Sequence, residues 1–167
     1  AIVPTSRYVP SGNTVTGIAG KKNFTVIYIE KSLMNAEIGF VRKVLSVIEK
    51  ENIPVEHIPS GIDTMSLVIS SEALDDNTLS RILEGIEYAV EPDIIRVIEN
   101  IALVATVGHG MSSSVGTSAR LFNAIAAADI NIKMIDQGSS ELNIVVGVKN
   151  DDYERCIKAI YKEFFGN

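Results

Sequence analysis

The chain has 167 residues, of which 46% are hydrophobic, and a net charge of −6 at neutral pH. That apolar share excludes disorder, and the acidic balance speaks against nucleic acid, whose phosphates need a clustered positive field. No apolar run approaches the ~20 residues that span a bilayer and no signal peptide is visible, so no membrane partner is expected. The single cysteine, Cys156, has no internal disulfide partner, which fits a reducing compartment, and it falls on the apolar stripe of a predicted helix as a core residue.

Taken in order, Ala1–Asn13 carries two prolines and Gly12 and reads as a linker or arm. The chain opens on Ala1 within that stretch, as a segment of something longer would. Thr14–Ala19 is a short strand candidate closed by Gly20, and Phe24–Glu30, rich in β-branched and aromatic residues, reads as a buried strand. A loop over 31–38 leads to a helix from about Gly39 to Lys50 with Val41, Val44, Leu45 and Ile48 on one face. Pro54 introduces a strand at Val55–Ile58, Pro59-Ser60-Gly61 turns the chain, and Thr64–Ser70 is a third strand. Asp75–Asn77 offers N-cap chemistry to a helix whose apolar face is Leu79, Ile82, Leu83 and Ile86. Pro92 ends that region and Asp93–Ile98 gives a fourth strand. This β-α-β-β-α-β order is the ferredoxin-like pattern.

The second half repeats it: strand Ile101–Val107, loop Gly108–Val115, helix Gly116–Ala128, strands Ile130–Ile135 and Leu142–Val148, and helix Asp151–Phe165 with Ile157, Ile160, Tyr161 and Phe164 inward. Met34 and Met111, Gly39 and Gly116, Ile53 and Ile130, and Val68 and Val145 all share one offset of 77 residues, so the chain contains a duplicated unit. The second copy lacks its fourth strand, and Thr14–Ala19 is free to fill that edge, which would insert the first unit into the second. A unit of this size buries only about 60–65% of its unfolded surface and gains by packing on a twin or a second subunit.

No catalytic constellation is defensible. His57 and His109 lack metal-ligand spacing. Ser112, Ser113 and Ser114 lack a base with an orienting acid and read as turn or cap residues. Gly108-His109-Gly110 has neither a third fingerprint glycine nor a P-loop Gly-Lys. What remains is a small-residue loop before a helix N-terminus, present twice. Free N–H groups and the helix dipole suit a carboxylate there, and Glu56 on the neighbouring strand could receive a cationic group, together matching a zwitterionic amino acid. Equally, the glycines could serve only close packing, with Glu56 solvated.

Val15-Thr16-Gly17-Ile18-Ala19, Val107-Gly108-His109-Gly110-Met111, Asn131-Ile132-Lys133-Met134-Ile135 and Ile58-Pro59-Ser60-Gly61-Ile62-Asp63 resemble the C-terminal regulatory region of aspartate kinases (aspartokinases), in the version of low-GC Gram-positive bacteria. The resemblance covers nearly the whole chain. It implies an α+β fold of two ferredoxin-like (βαββαβ) ACT domains, the first inserted into the second, each an antiparallel sheet covered by helices on one face. The implied boundaries are a linker over 1–13 from a kinase domain, a first ACT domain over 21–98, and a second over 14–20 plus 99–165. The parent cytoplasmic enzyme phosphorylates the β-carboxylate of aspartate with ATP and Mg²⁺, early in lysine, threonine and methionine synthesis; this region would need no cofactor and be inert alone.

The resemblance also implies partners: L-lysine or another aspartate-family amino acid, a homodimer through ACT domains, and the kinase domain. Effector contacts carry over to Met34, Asn35, Ala36, Glu37, Ile38, Gly39, Phe40 and Val41 on the loop and to Pro54, Val55 and Glu56 on the strand, with Ser60, Gly61 and Ile62 contributed from a partner subunit. Glu56 stands where lysine-inhibited relatives usually have Asp. The second loop (Met111, Ser113, Val115, Gly116) is a second candidate site, but Lys133 reverses the charge at the position matching Glu56. The alternatives are a threonine-responsive module, an ACT tandem that only dimerises, and a small regulatory subunit made from an internal start.

Overall fold

The computed structural model describes residues 14–166, so the linker expected over 1–13 lies outside the described residues. Among these, five strands and four α-helices form two compact units, one of residues 22–101 and one of the residues up to Lys21 together with those from Ala102 onward. Both long strands, β1 (Gly17–Glu30) and β3 (Ile94–Val107), run from one unit into the other.

In the 22–101 unit, β1 leads through a 3₁₀ turn at Met34–Ala36 into α1 (Phe40–Lys50). β2 (Thr64–Ser70) then pairs antiparallel with β1, Phe24 opposite Ser70 and Glu30 opposite Thr64. α2 (Asp76–Val90) follows, its first turn capped by Asp75, whose Oδ1 accepts the Thr78 N–H at 2.7 Å. β3 begins beside β1, with Asp93 N–H donating to the Glu30 carbonyl. Alternation along the strands sends Ile27, Ile29, Met65, Leu67 and Ile69 into one core with Val44 and Ile48 of α1 and Ile82 and Ile86 of α2. The buried face of α1 is Phe40, Val44, Val47 and Ile48. Val41 is exposed and Leu45 only half-buried, so the apolar stripe expected over Val41-Val44-Leu45-Ile48 is wider than the buried face and leaves two residues at its edge.

The second unit repeats the layout with β3, α3 (Thr117–Ala127), β4 (Met134–Asp136), β5 (Asn143–Lys149) and α4 (Tyr153–Phe165). Its fourth strand is the start of β1, joined to the end of β3 by the Thr16 N–H on the Val107 carbonyl at 2.8 Å, and Val15 enters this unit's core with Val104, Leu121, Ile125, Ile144, Val146 and Ile160. Cys156 is buried there, and burial, with the Asp152 charge added, pushes its thiol up to about 11. Tyr161, expected in the core, is instead 59% exposed and stacks on Phe165 with ring centroids 5.1 Å apart. It lies one residue past fully buried Ile160, and a helix step of about 100° carries it onto the solvent side.

Three sequence expectations change. The strand expected over Thr14–Ala19 begins only at Gly17 and runs on through Phe24–Glu30 as one continuous β1, and those expected over Asp93–Ile98 and Ile101–Val107 are one β3 that begins at Ile94. Asn23 and Asn100 adopt φ of 66° and 61°, a left-handed conformation asparagine tolerates, and pairing continues through them. Val55–Ile58 is not a regular strand: residues 56–60 meet β2 only through the bridges His57–Val68 and Ser60–Met65, because Pro54 and Pro59 lack the N–H a full ladder requires. Ile130–Ile135 shortens to β4, Met134–Asp136.

Candidate functional site

The loop between β1 and α1 is fixed at both ends. The Ser32 N–H and Oγ both donate to Asp93 Oδ2, at 2.6 and 2.8 Å, and these bonds hold the Asp93 carboxyl below the usual carboxylate range. Lys31 Nζ donates to the Glu91 carbonyl at 2.9 Å. Leu33 turns left-handed at φ 61°, the 3₁₀ turn follows, and Gly39 at φ 78° starts α1. Buried Met34 and Phe40 anchor the loop on the core and leave Ile38 between them 96% exposed. Gly39 supplies no side-chain cap and the first turn carries no acidic residue, so the positive end of α1 is uncompensated from within the helix. The one carboxylate of the loop, Glu37, is held by Lys43 Nζ at 2.6 Å.

A solvent-open cavity of about 880 Å³ lies along α1 where the chain leaves it towards residue 55, within the size range of small-ligand pockets. Of the predicted effector residues, Val41, Pro54 and Val55 wall it. Met34 and Phe40 are buried in the core, and Asn35, Ala36, Glu37, Ile38 and Gly39 form the loop above the helix start. Glu56 is exposed on the bridging segment, its N–H on the Val68 carbonyl at 2.9 Å. Ser60, Gly61 and Ile62 are exposed in the turn closed by the Gly61 N–H on the Thr64 carbonyl. Neither Glu56 nor this turn lines the cavity.

Arg42, Ser46 and Glu49 of α1 and Asn52 beyond it supply the polar wall. Sequence reasoning missed them because they occupy the face of α1 that an amphipathic pattern assigns to solvent. Their spacing with Leu45, at i, i+3, i+4 and i+7, is the signal that could have found them.

In the second unit Gly116 at φ 88° heads α3 and Met111 is buried, as Gly39 and Met34 are in the first, but the 3₁₀ turn spans His109–Ser113 and follows an extended Gly108 where the first loop has left-handed Leu33. Ser113 and Val115 are exposed. The hydroxyls of Ser112 and Ser113 donate to the carbonyls of His109 and Gly110, both at 3.3 Å, and Thr117 Oγ1 to the Ser114 carbonyl at 3.0 Å, so these polar groups close the loop on itself. Gly108 is explained by packing: a Cβ there would lie 2.0 Å from the Thr14 carbonyl oxygen. The cavity of about 520 Å³ in this unit lies between α3 and α4 and is lined by none of the second-loop residues.

The structure also bears on the comparison of Glu56 with Lys133. The Glu56 N–H donates to the Val68 carbonyl at 2.9 Å and the Lys133 N–H to the Gly147 carbonyl at 2.7 Å, and His57 faces Val68 as Met134 faces Gly147. Glu56 and Lys133 therefore hold matching backbone positions with opposite charge, and Val68 matches Gly147, two residues beyond the Val145 expected from the constant offset. Among the described residues, no cluster of three or more metal-ligating side chains occurs and no helix is long and apolar enough to cross a membrane.

A family model for the ACT domain matches residues 104–164. Aspartokinase 3 of Bacillus subtilis (strain 168) is 41% identical over 151 residues, covering 90% of this chain and 33% of that protein. The crystal structure of Clostridium acetobutylicum aspartate kinase superposes with a TM-score of 0.85 at 51% identity, over 90% of this chain and 34% of that one. A crystal structure of aspartokinase alpha and beta subunits matches at 28% identity and a TM-score of 0.76, over 90% of this chain and 98% of the matched chain. The chain thus spans about a third of the length of its Bacillus relative. With two ferredoxin-like units, one inserted into the other, it belongs to the ACT-domain regulatory regions of aspartokinases.

Proposed function

We propose that this region senses L-lysine as a feedback inhibitor for a parent aspartokinase, the ligand lying beside α1 and against residues 54–56. The observation that carries the reading is the cavity walled by Val41, Pro54 and Val55, which runs from the first turn of α1 to the apolar segment beyond its end. In the parent enzyme, ATP and Mg²⁺ would serve phosphorylation of aspartate in a kinase domain, and this region would act only through a difference in ligand affinity between two enzyme states, typically about 1–3 kcal/mol. Isothermal titration of the chain with lysine and threonine tests it. Heat with lysine at millimolar concentration is expected; silence with both amino acids would refute binding. Because Glu56 is exposed, Glu56→Gln should weaken lysine by at most about 1 kcal/mol, roughly fivefold.

A second reading, self-assembly, is favoured by exposed Leu33, Ile38 and Ile62 in the same unit, apolar side chains of the kind that mark interaction surfaces when they are contiguous. Sedimentation with and without lysine separates the two: a dimer indifferent to any amino acid supports a module that only assembles.

A further inference from the structure

We infer that α2 and α4, the second helix of each unit, are complementary faces through which two copies of this chain associate, α2 of one copy lying antiparallel against α4 of the other. On α2, Glu84, Glu87, Tyr88 and Glu91 are all exposed. Their spacing of i, i+3, i+4 and i+7 sets them on one stripe. On α4 the same spacing gathers Lys158, Tyr161, Lys162 and Phe165, the first three exposed and Phe165 half-buried. One stripe is a tyrosine among carboxylates, the other a tyrosine among ammonium groups.

Neither stripe is explained by its own helix. Carboxylates at i, i+3 and i, i+4 repel one another, and so do Lys158 and Lys162. Glu87 and Glu91 also stand at the negative end of the α2 dipole, where the last turn holds no basic residue. Arg81, one turn before Glu84, is taken by Glu51 at 2.8 Å, and Glu163, beside Lys162, by Arg120 at 2.7 Å. Among the described residues, the side chains of Glu84, Glu87, Glu91, Lys158 and Lys162 have no ion-pair or hydrogen-bond partner. Tyr88 is 92% exposed, and Tyr161 remains 59% exposed beside Phe165.

Laid antiparallel, the stripes match along roughly 10 Å of helix: Glu87 meets Lys162, Tyr88 meets Tyr161 and Glu91 meets Lys158. A parallel arrangement sets Glu87 against Tyr161 and Tyr88 against Lys162, leaving one ion pair, Glu84 with Lys158, in place of two. Aromatic anchors at the centre with charges at the rim are the usual anatomy of a protein interface. A twofold axis makes the contact twice, because each copy carries both faces. This contact is separate from association through Leu33, Ile38 and Ile62 and requires no bound amino acid.

Sedimentation of the whole chain tests it, with circular dichroism to confirm folding. A dimer that loosens with added salt is expected, since the paired charges are exposed. Glu87→Lys with Glu91→Lys makes both stripes basic, and Lys158→Glu with Lys162→Glu makes both acidic. Each double variant loses four weak exposed pairs per dimer and should raise the dissociation constant about tenfold or more. An equimolar mixture of the two should dimerise again, because every contact then joins opposite charges. Tyr88→Ala, which alters no charge, should also weaken the dimer. A dimer that survives either double variant unchanged, a mixture that stays monomeric, or a wild-type chain that is monomeric at every concentration overturns the inference.

Discussion

Gly39 and Gly116 invite a paired experiment, because the same conformation occurs twice in one chain. Their φ values are 78° and 88°. A Cβ on Gly39 would approach nothing closer than Arg42 Nε at 3.8 Å, and on Gly116 it would meet nothing within 4 Å. Steric exclusion is therefore absent at both, and only the backbone conformation opposes a side chain. Left-handed geometry costs an alanine about 1–2 kcal/mol, and the stiffer unfolded chain returns about 0.4–1 kcal/mol. The net loss is about 1 kcal/mol for either Gly39→Ala or Gly116→Ala, roughly 4–8 °C in the melting temperature of a unit of this size. Thermal and urea unfolding followed by circular dichroism measures it. Asparagine, which tolerates the left-handed region, should lose less than alanine at both positions. The reasoning fails if alanine is neutral, or if asparagine costs as much. Titration of the same variants adds a functional arm: lysine affinity should fall in Gly39→Ala and hold in Gly116→Ala, since the cavity adjoins only α1.

Other outcomes follow from particular contacts. Asp93, whose pKa lies below its usual 3.8 through the Ser32 bonds, stabilises the fold in full above that value and ceases to do so as the pH falls through its depressed pKa. Asp93→Asn should therefore melt below wild type at pH 7, with the gap closing towards pH 3; a pH-independent gap would contradict this. Cys156, fully buried and with its thiol raised to about 11, should react with a thiol reagent only as fast as the chain unfolds, and labelling at the rate of a free thiol in the native protein would refute its place in the core.

The helices and the duplication were legible because amphipathic spacing and a constant offset survive in side-chain identity. Asp75 was readable as a cap from its chemistry alone, and its bond to Thr78 is present. The long strands were not. Asn23 and Asn100 look like turn residues, and only the paired neighbour strand decides that a left-handed asparagine bends a strand instead of ending it. The two-residue departure of β5 from the constant offset was equally invisible: Val68 and Val145 share the offset of 77, and a shift of two residues preserves which side chains face the core, so the hydrophobic pattern is the same in either register. At the site, Val41, Pro54 and Val55 were found through a resemblance, while Arg42 and Glu49 look like ordinary solvated charges until the chain beyond α1 folds back alongside them.

The passage of β1 and β3 from one unit into the other bears on how the chain can be dissected. No loop marks the boundary at Lys21 and Ala102, so a protease that nicks exposed loops would not release either unit. In the unit that holds the chain's second half, however, the Thr16–Val107 bond runs between antiparallel neighbours, and Gly20 lies close against the Leu103 carbonyl. Lys21 and Ala102 therefore come together across one ladder rung. Deleting 22–101 and joining them through a two-residue Asn-Gly turn would close an ordinary hairpin. The insertion occupies the place of a β-turn, and a minimal single-unit protein is one short graft away.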